Sequence, residues 1–355
     1  MDQRIEHSYL LIRGLKLHIA HIGKGETATL LFVHGFPEVW YSWRHQMVAA
    51  AAAGFRAIAP DFPGYGLSEP PADLAQASWE GLMNDLLAIL DSLSIPKVFL
   101  VAKDFGVKPA YDLALCYPDR VCGVVSLGVP PLVESLGFSE LPEGFYIHRW
   151  KEPGRAEADF GRFDTRRILR TIYILFSKSE IPIAKQGQEI MDLADESTPM
   201  PQWFTEEDLS AYTNLYEKSG LMAAIQIPYR TKAVKAECAN PRFQVPMFVI
   251  MGQKDYILKF PALKEYMSSE KLKEIAPDYE ITYIPEGSHF VQEQFPDLVN
   301  RIMIDFKDYI LKFPTLKEYM SSEKLEEINP DYEIAYIQKD PIFFKSNSLT
   351  LLISL

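Results

Sequence analysis

The sequence predicts an α/β architecture: a mostly parallel β-sheet with helices on both faces, interrupted by a separate helical insert. Three observations lead there. Short apolar runs alternate with amphipathic helical stretches, the pattern of a sheet wound with crossover helices. One interval, roughly 115 residues from Pro130 to Pro246, is too long for a loop and carries helical patterns of its own. Of the 355 residues, 48% are hydrophobic, enough for a large core.

The apolar runs that read as buried strands are, in order, TLLFVHG (29–35), RAIAPD (56–61), KVFLVAKD (97–104), VCGVVSLGVP (121–130), PMFVIMGQKD (246–255) and YEITYIPEG (279–287). Between them, WEGLMNDLLAILDSL (79–93), GVKPAYDLALCYP (106–118) and FPDLVNRIMIDFKDYI (295–310) place apolar residues at three-to-four spacing and read as helices. The long interval holds TRRILRTIYILFS (165–177) and TEEDLSAYTNLYEKSG (205–220). The expected organisation is a core of residues 1–130 and 241–310, a helical cap at 131–240, and a tail at 311–355 outside the core.

That tail contains a repeat. Residues 254–284 recur at 307–337 with 27 of 31 positions identical. Two copies do not make a solenoid. The second copy follows the last helix the sheet requires, so it reads as a duplication hanging from the fold. A regulatory or dimerising tail is the alternative.

A net charge of −12, with no basic run interleaved with aromatics, argues against nucleic acid or an anionic membrane as partner. No window approaches the roughly 18 apolar residues of a membrane span, and the first residues lack the apolar stretch of a signal peptide. Cys116, Cys122 and Cys238 show no CxxC or zinc-like spacing, so three reduced thiols and a cytoplasmic location are expected.

The chemistry-bearing pattern begins at residues 97–118. A strand runs into Ala-Lys-Asp-Phe-Gly and a helix follows. Small residues at 102 and 106 let the chain turn sharply, so that Asp104 projects from a nucleophile elbow. Asp is also a good helix N-cap, and the pentapeptide alone does not separate the two roles. No GxSxG is present, which disfavours a serine esterase. Upstream, His-Gly-Phe-Pro directly follows a strand. Downstream, Asp255 ends the strand of MGQKD, and His289 follows the last strand in PEGSHFVQEQFP. The order nucleophile, acid, base is that of a triad in which Asp255 holds the imidazole and His289 moves the proton. The repeat copies Asp255 as Asp308 but has Ile342 where His289 would stand, so it cannot rebuild the base.

Taken in order, HGFPEVWYSWRHQM, DFPGYGLSEPP, VAKDFG, GQKD and EGSHFVQEQFP resemble the plant-type soluble epoxide hydrolases of the α/β-hydrolase superfamily, over roughly residues 4–310. The resemblance implies the α/β-hydrolase fold and an oxyanion hole from the amides of Phe36 and Phe105. It also implies substrate-lining positions at His34, Pro37 and Trp40, and two cap tyrosines that donate to an epoxide oxygen. Tyr146 fits the first, six residues before Glu-Pro-Gly. Tyr229 fits the second, in IPYR, although the family's usual Asn-aromatic-Tyr-Arg is here Gln-Ile-Pro-Tyr-Arg.

The implied activity is opening of a hydrophobic epoxide, fatty-acid-derived ones among the candidates, to a vicinal diol through an aspartyl ester. No metal or organic cofactor is implied, and a homodimer is compatible with the reading. Two positions depart from the family, which usually has His before the nucleophile and Trp after it; here they are Lys103 and Phe105. Lys103 either points away from Asp104 or pairs with it. A dehalogenase with the same triad logic and a non-catalytic ligand receptor on the same fold are the competing readings. Phe105 lacks the indole N–H with which a dehalogenase commonly holds halide.

Overall fold

The structure, a computed structural model, describes residues 3–25, 27–74, 77–131, 138–231, 238 and 242–310. The strands are β1 (Glu6–Ile12), β2 (Leu15–Ile22), β3 (Thr29–Val33), β4 (Arg56–Pro60), β5 (Val98–Lys103), β6 (Val121–Leu127), β7 (Met247–Gly252) and β8 (Tyr279–Ile284). They form one sheet in the order β1-β2-β4-β3-β5-β6-β7-β8. From β4 through β8 every pairing is parallel, while β1 and β2 join antiparallel at one edge.

All six expected strands form. β5 and β6 are buried along their whole length, which is why they read as unbroken apolar runs. The hairpin β1–β2 was not foreseen. β1 is exposed along most of its length, Tyr9 and Leu11 included, and EHSYLLI carries no alternating polar–apolar signal. Its turn is legible in hindsight: Arg13 and Gly14 both take positive φ (47° and 88°), as a two-residue hairpin requires.

The helices are α1 (Arg44–Ala52), α2 (Trp79–Ser92), α3 (Val107–Cys116), α4 (Tyr146–Lys151), α5 (Arg155–Phe160), α6 (Thr165–Phe176), α7 (Glu206–Ser219), α8 (Leu263–Met267), α9 (Glu270–Ile275), α10 (Val291–Gln294) and α11 (Pro296–Ile310). Side chains cap several of them. Ser78 accepts from the Gly81 amide at the start of α2, and Thr205 with Asp208 forms a capping box on α7. Helices α4 to α7 all lie between β6 and β7, where the long interval placed them. Among the described residues, no helix is long and apolar enough to cross a membrane. The second copy of the repeat, from residue 311 onward, lies outside the described residues.

One expectation fails. Cys116 and Cys238, 122 residues apart, are joined by a disulfide, and of the three cysteines only Cys122 is free, buried in the core. Local spacing could not show this. The end of α3 meets the chain returning to β7 only because β6 and β7 pair side by side. The reading of three reduced thiols is therefore corrected.

The α4–α7 segment is tied to the sheet by a charged cluster. Arg44 donates to Glu293 Oε2 at 2.6 Å and to Asp208 Oδ1 at 2.8 Å, joining α1 to α10 and α7. Tyr41 donates to Asp208 (3.1 Å), and Tyr212 to Glu293 (2.9 Å). Burial pushes the Glu293 carboxyl up to about 7 despite the Arg44 charge. Removing the cation would leave two carboxylates without their partner.

Two outcomes follow from these contacts. Alkylation of the unfolded, unreduced protein should block one thiol, and after reduction all three, as counted by mass spectrometry. Arg44→Ala should lower unfolding stability by about 3 kcal/mol in urea titration, the range for breaking a buried charge pair.

Candidate active site

The site is built where β5 passes into α3. Asp104 takes a left-handed conformation (φ 50°), rare for a residue with a side chain, and this corner lifts its carboxyl off the strand. Two glycines permit the corner. A Cβ on Gly106 would stand 2.3 Å from the His34 carbonyl oxygen, and one on Gly35 would stand 2.4 Å from the Asp104 Cβ. The loop after β3 and the turn after β5 are thereby pressed together.

That contact delivers the first functional hydrogen bond. The Phe36 amide donates to Asp104 Oδ1 at 3.0 Å, and the neighbouring Phe105 amide favours the charged form of this carboxylate. The two amides expected to form an oxyanion hole thus converge on the candidate nucleophile.

On the other side stands His289. Its Nδ1 lies 3.1 and 3.0 Å from the two oxygens of Asp255, which ends the turn after β7. Its Nε2 stands 3.3 Å from Asp104 Oδ2, close enough for charge pairing but without a well-aligned hydrogen bond. Asp255 is fixed in turn by accepting from the Ile257 amide at 3.1 Å. The fold therefore gathers Asp104, His289 and Asp255, which the sequence scatters over 186 positions.

Burial and the nearby Lys103 charge push the imidazole of His289 down. The Asp255 charge and its hydrogen bonds, with the adjacent Asp104 carboxylate, outweigh them, and its pKa rises to about 9. Enclosure would push the Asp104 carboxyl up, but the adjacent His289 imidazolium, Lys103 and the Phe105 amide together hold it below the usual carboxylate range. The resting pair is a carboxylate beside an imidazolium.

Lys103 does not pair with Asp104. Successive side chains on a strand point to opposite faces, and its ammonium runs beneath the corner to Glu38, 4.0 Å away, and over the Phe290 ring. Glu38 accepts from the Gly35 amide (3.3 Å) and from Gln292 Nε2 (2.5 Å). All three side chains are buried. A cation and its counter-charge therefore sit behind the carboxylate and the imidazole.

Tyr146, at the start of α4, and Tyr229, in the π-type turn Gln226–Arg230, are both buried. The Tyr229 ring meets the Phe36 and Phe105 rings edge-on at 5.5 and 5.3 Å, so it roofs the two amide donors. Arg230 anchors this turn through a two-pronged pair with Glu157 at 2.5 Å each. Tyr146 lies edge-on to Tyr229 at 6.2 Å. Burial pushes both phenols up, with the Asp104 charge adding to it, so both keep their protons and remain donors.

The other expected lining residues divide. His34 is buried and accepts from the Phe62 amide through Nε2 (3.0 Å), which leaves the proton on Nδ1, 2.9 Å from the Gly35 carbonyl. It braces the loop, and it also borders a small apolar cavity with Phe62, Tyr65, Trp79, Phe105 and Pro228. Pro37 is buried, joined to Phe36 by a cis peptide bond. Trp40 is not brought to the site: its ring packs edge-on against His7 at 4.7 Å, and its amide donates to Asp61. Glu38, Gln292 and Tyr256 were missed. Glu38 follows the HGFP motif directly, but its role exists only through Lys103 and Gln292, which reach it from β5 and α10.

A mostly parallel sheet with a strained acid-bearing corner, two converging amides and a buried acid–histidine pair defines the α/β-hydrolase class. Its family model, described as the alpha/beta hydrolase fold, matches residues 28–296. Epoxide hydrolase 3 of Siraitia grosvenorii is 35% identical over 86% of this chain and 99% of its own length. Bifunctional epoxide hydrolase 2 of Mus musculus is 27% identical over 88% of this chain and 57% of its own length. The crystal structure of an epoxide hydrolase from Vigna radiata superposes with a TM-score of 0.79 at 32% identity, covering 88% of this chain and 99% of that one. The chain belongs to the epoxide hydrolase family of the α/β-hydrolases.

The imidazole yields a pH signature. A pKa raised from 6.5 to about 9 stabilises the folded state fully below pH 6.5, and that contribution is lost as pH rises through 9. Between those limits the thermal midpoint should fall further for the wild type than for His289→Gln, measured by calorimetry on both.

Proposed function

We propose that this protein opens hydrophobic epoxides to vicinal diols through a covalent ester on Asp104. The observation that carries the reading is the left-handed corner at Asp104, with the Phe36 amide on one carboxylate oxygen and His289 beside the other. The helical segment at 131–240 serves as a cap over a core of residues 1–130 and 241–310. Its tyrosines close the site from above.

In the first step an Asp104 oxygen attacks an epoxide carbon and the ring C–O bond breaks. The departing oxygen takes a proton from Tyr146 or Tyr229, whose phenols hold their protons until that charge develops. An aspartyl ester and a neighbouring hydroxyl result.

Ester formation removes the Asp104 charge. His289 loses one of the two carboxylates that hold its proton, while Lys103 still disfavours its charged form. The imidazole therefore gives up its proton, which reprotonates the tyrosinate left by ring opening, and becomes a base as the step that needs one arrives. It takes a proton from water, and the hydroxide adds to the ester carbonyl of Asp104. The oxyanion rests on the Phe36 and Phe105 amides. Collapse breaks the bond to the alkyl oxygen, which takes the proton from His289; the Asp104 carboxylic acid then passes its own proton to the imidazole, and the diol leaves with the resting carboxylate–imidazolium pair restored.

The test uses purified protein with a panel running from styrene-oxide-type to fatty-acid epoxides, with diol detected by mass spectrometry. Asp104→Asn should abolish diol formation. His289→Gln should accumulate a substrate-sized mass addition on the peptide containing Asp104. Hydrolysis by the His289 variant at the parent rate would sink the mechanism.

A further inference from the structure

We propose that Tyr256 is a positioning residue for ring opening: its hydroxyl donates to the Tyr146 oxygen and so aims the Tyr146 O–H at the epoxide. This rests on the reading above, taking Tyr146 of its two tyrosines as the one that protonates the departing oxygen. The carrying observation is a direct contact between two buried phenols. Tyr146 Oη and Tyr256 Oη are 3.0 Å apart, and either could be the donor.

Counting protons resolves the direction once substrate is present. Each phenol has one proton and can also accept. If Tyr146 gives its proton to the epoxide oxygen, it cannot also give it to Tyr256. Tyr256 must then donate and Tyr146 accept, producing the chain Tyr256 O–H, Tyr146 O–H, epoxide oxygen. Each bond in such a chain polarises the next, so Tyr146 becomes a better donor as charge develops beyond it. When Tyr146 has given up its proton, the phenolate oxygen still holds one hydrogen bond in a buried site.

The rest of Tyr256 fits this role. It directly follows Asp255, whose carboxylate accepts from the next amide but one and fixes the start of the turn Tyr256–Lys259. Its ring packs against the imidazole of His289 at 5.2 Å and against Phe176 at 5.3 Å. One rigid turn therefore carries both the acid that orients His289 and the phenol that orients Tyr146.

The test is a double-mutant cycle on the single-turnover rates of ester formation and ester hydrolysis, with styrene oxide as probe. Tyr256→Phe should slow ester formation roughly tenfold, the scale for losing one hydrogen bond to a group that gains charge. Ester hydrolysis should stay within about twofold, because Tyr146 takes no part in it. In a Tyr146→Phe background, adding Tyr256→Phe should change ester formation by less than about twofold. Tyr256→Met, apolar and of similar reach, should reproduce the pattern and guards against a packing effect peculiar to Phe.

An equal loss in both backgrounds, no loss in the single variant, or a loss confined to hydrolysis would each overturn the proposal. Failure of the underlying reading shows differently: the wild type forms no ester, or Tyr146→Phe alone has no effect. Either result removes the proposal as well.

Discussion

The close approach of two backbone turns, the loop after β3 and the corner after β5, is the constraint on which the site depends. Gly35 and Gly106 let these turns meet at distances that no side chain would allow. Asp104 can then sit in a left-handed conformation that by itself costs on the order of 1 kcal/mol or more. Neighbouring parallel pairings of β5 with β3 and β6 hold the corner from both sides. Without that contact the Phe36 amide would not reach Asp104, and the carboxylate would be an ordinary helix cap.

Around this corner the charges form two layers. The upper layer is Asp104, His289 and Asp255, two carboxylates sharing one imidazolium. The lower layer is Lys103 and Glu38, fully buried and 4.0 Å apart. Lys103 favours the charged form of Asp104 and disfavours that of His289. In the proposed mechanism it would support the carboxylate before ring opening and the neutral base after it. A lysine beside a nucleophilic carboxylate looked like a liability in the sequence. Strand alternation turns it to the opposite face, where its field acts on both partners without neutralising either by contact.

The α4–α7 segment is held over this arrangement by polar anchors at opposite sides. Arg44 joins it to α1 and α10 through Asp208 and Glu293, and α10 follows the His289 loop directly. Arg230 holds the Tyr229 turn against α5 through Glu157. Pro228 in that turn has no N–H to donate, and the chain winds there as a wide π-type turn. Tyr229 nevertheless lands edge-on over Phe36 and Phe105.

Much of this was readable in the chain itself. The six strands, of which β8 at the sheet edge is only half-buried, the helices between them and the order of Asp104, Asp255 and His289 follow from local periodicity and turn chemistry, which are properties of short segments. Tyr146 and Tyr229 were reached through flanking motifs. What escaped depends on side chains meeting across distant segments. The β1–β2 hairpin was hidden because its outer strand faces water. The Cys116–Cys238 bond exists only because β6 and β7 are neighbours. Trp40, close to the oxyanion loop in sequence, packs instead on the hairpin that sequence reading overlooked. The sequence alone determined which residue types could do the chemistry and in what order they come. Only the tertiary structure decided that Lys103 answers to Glu38 and that Tyr256 touches Tyr146. Those contacts are set by which strand faces and turns lie within a few ångströms, and one-dimensional spacing does not encode that.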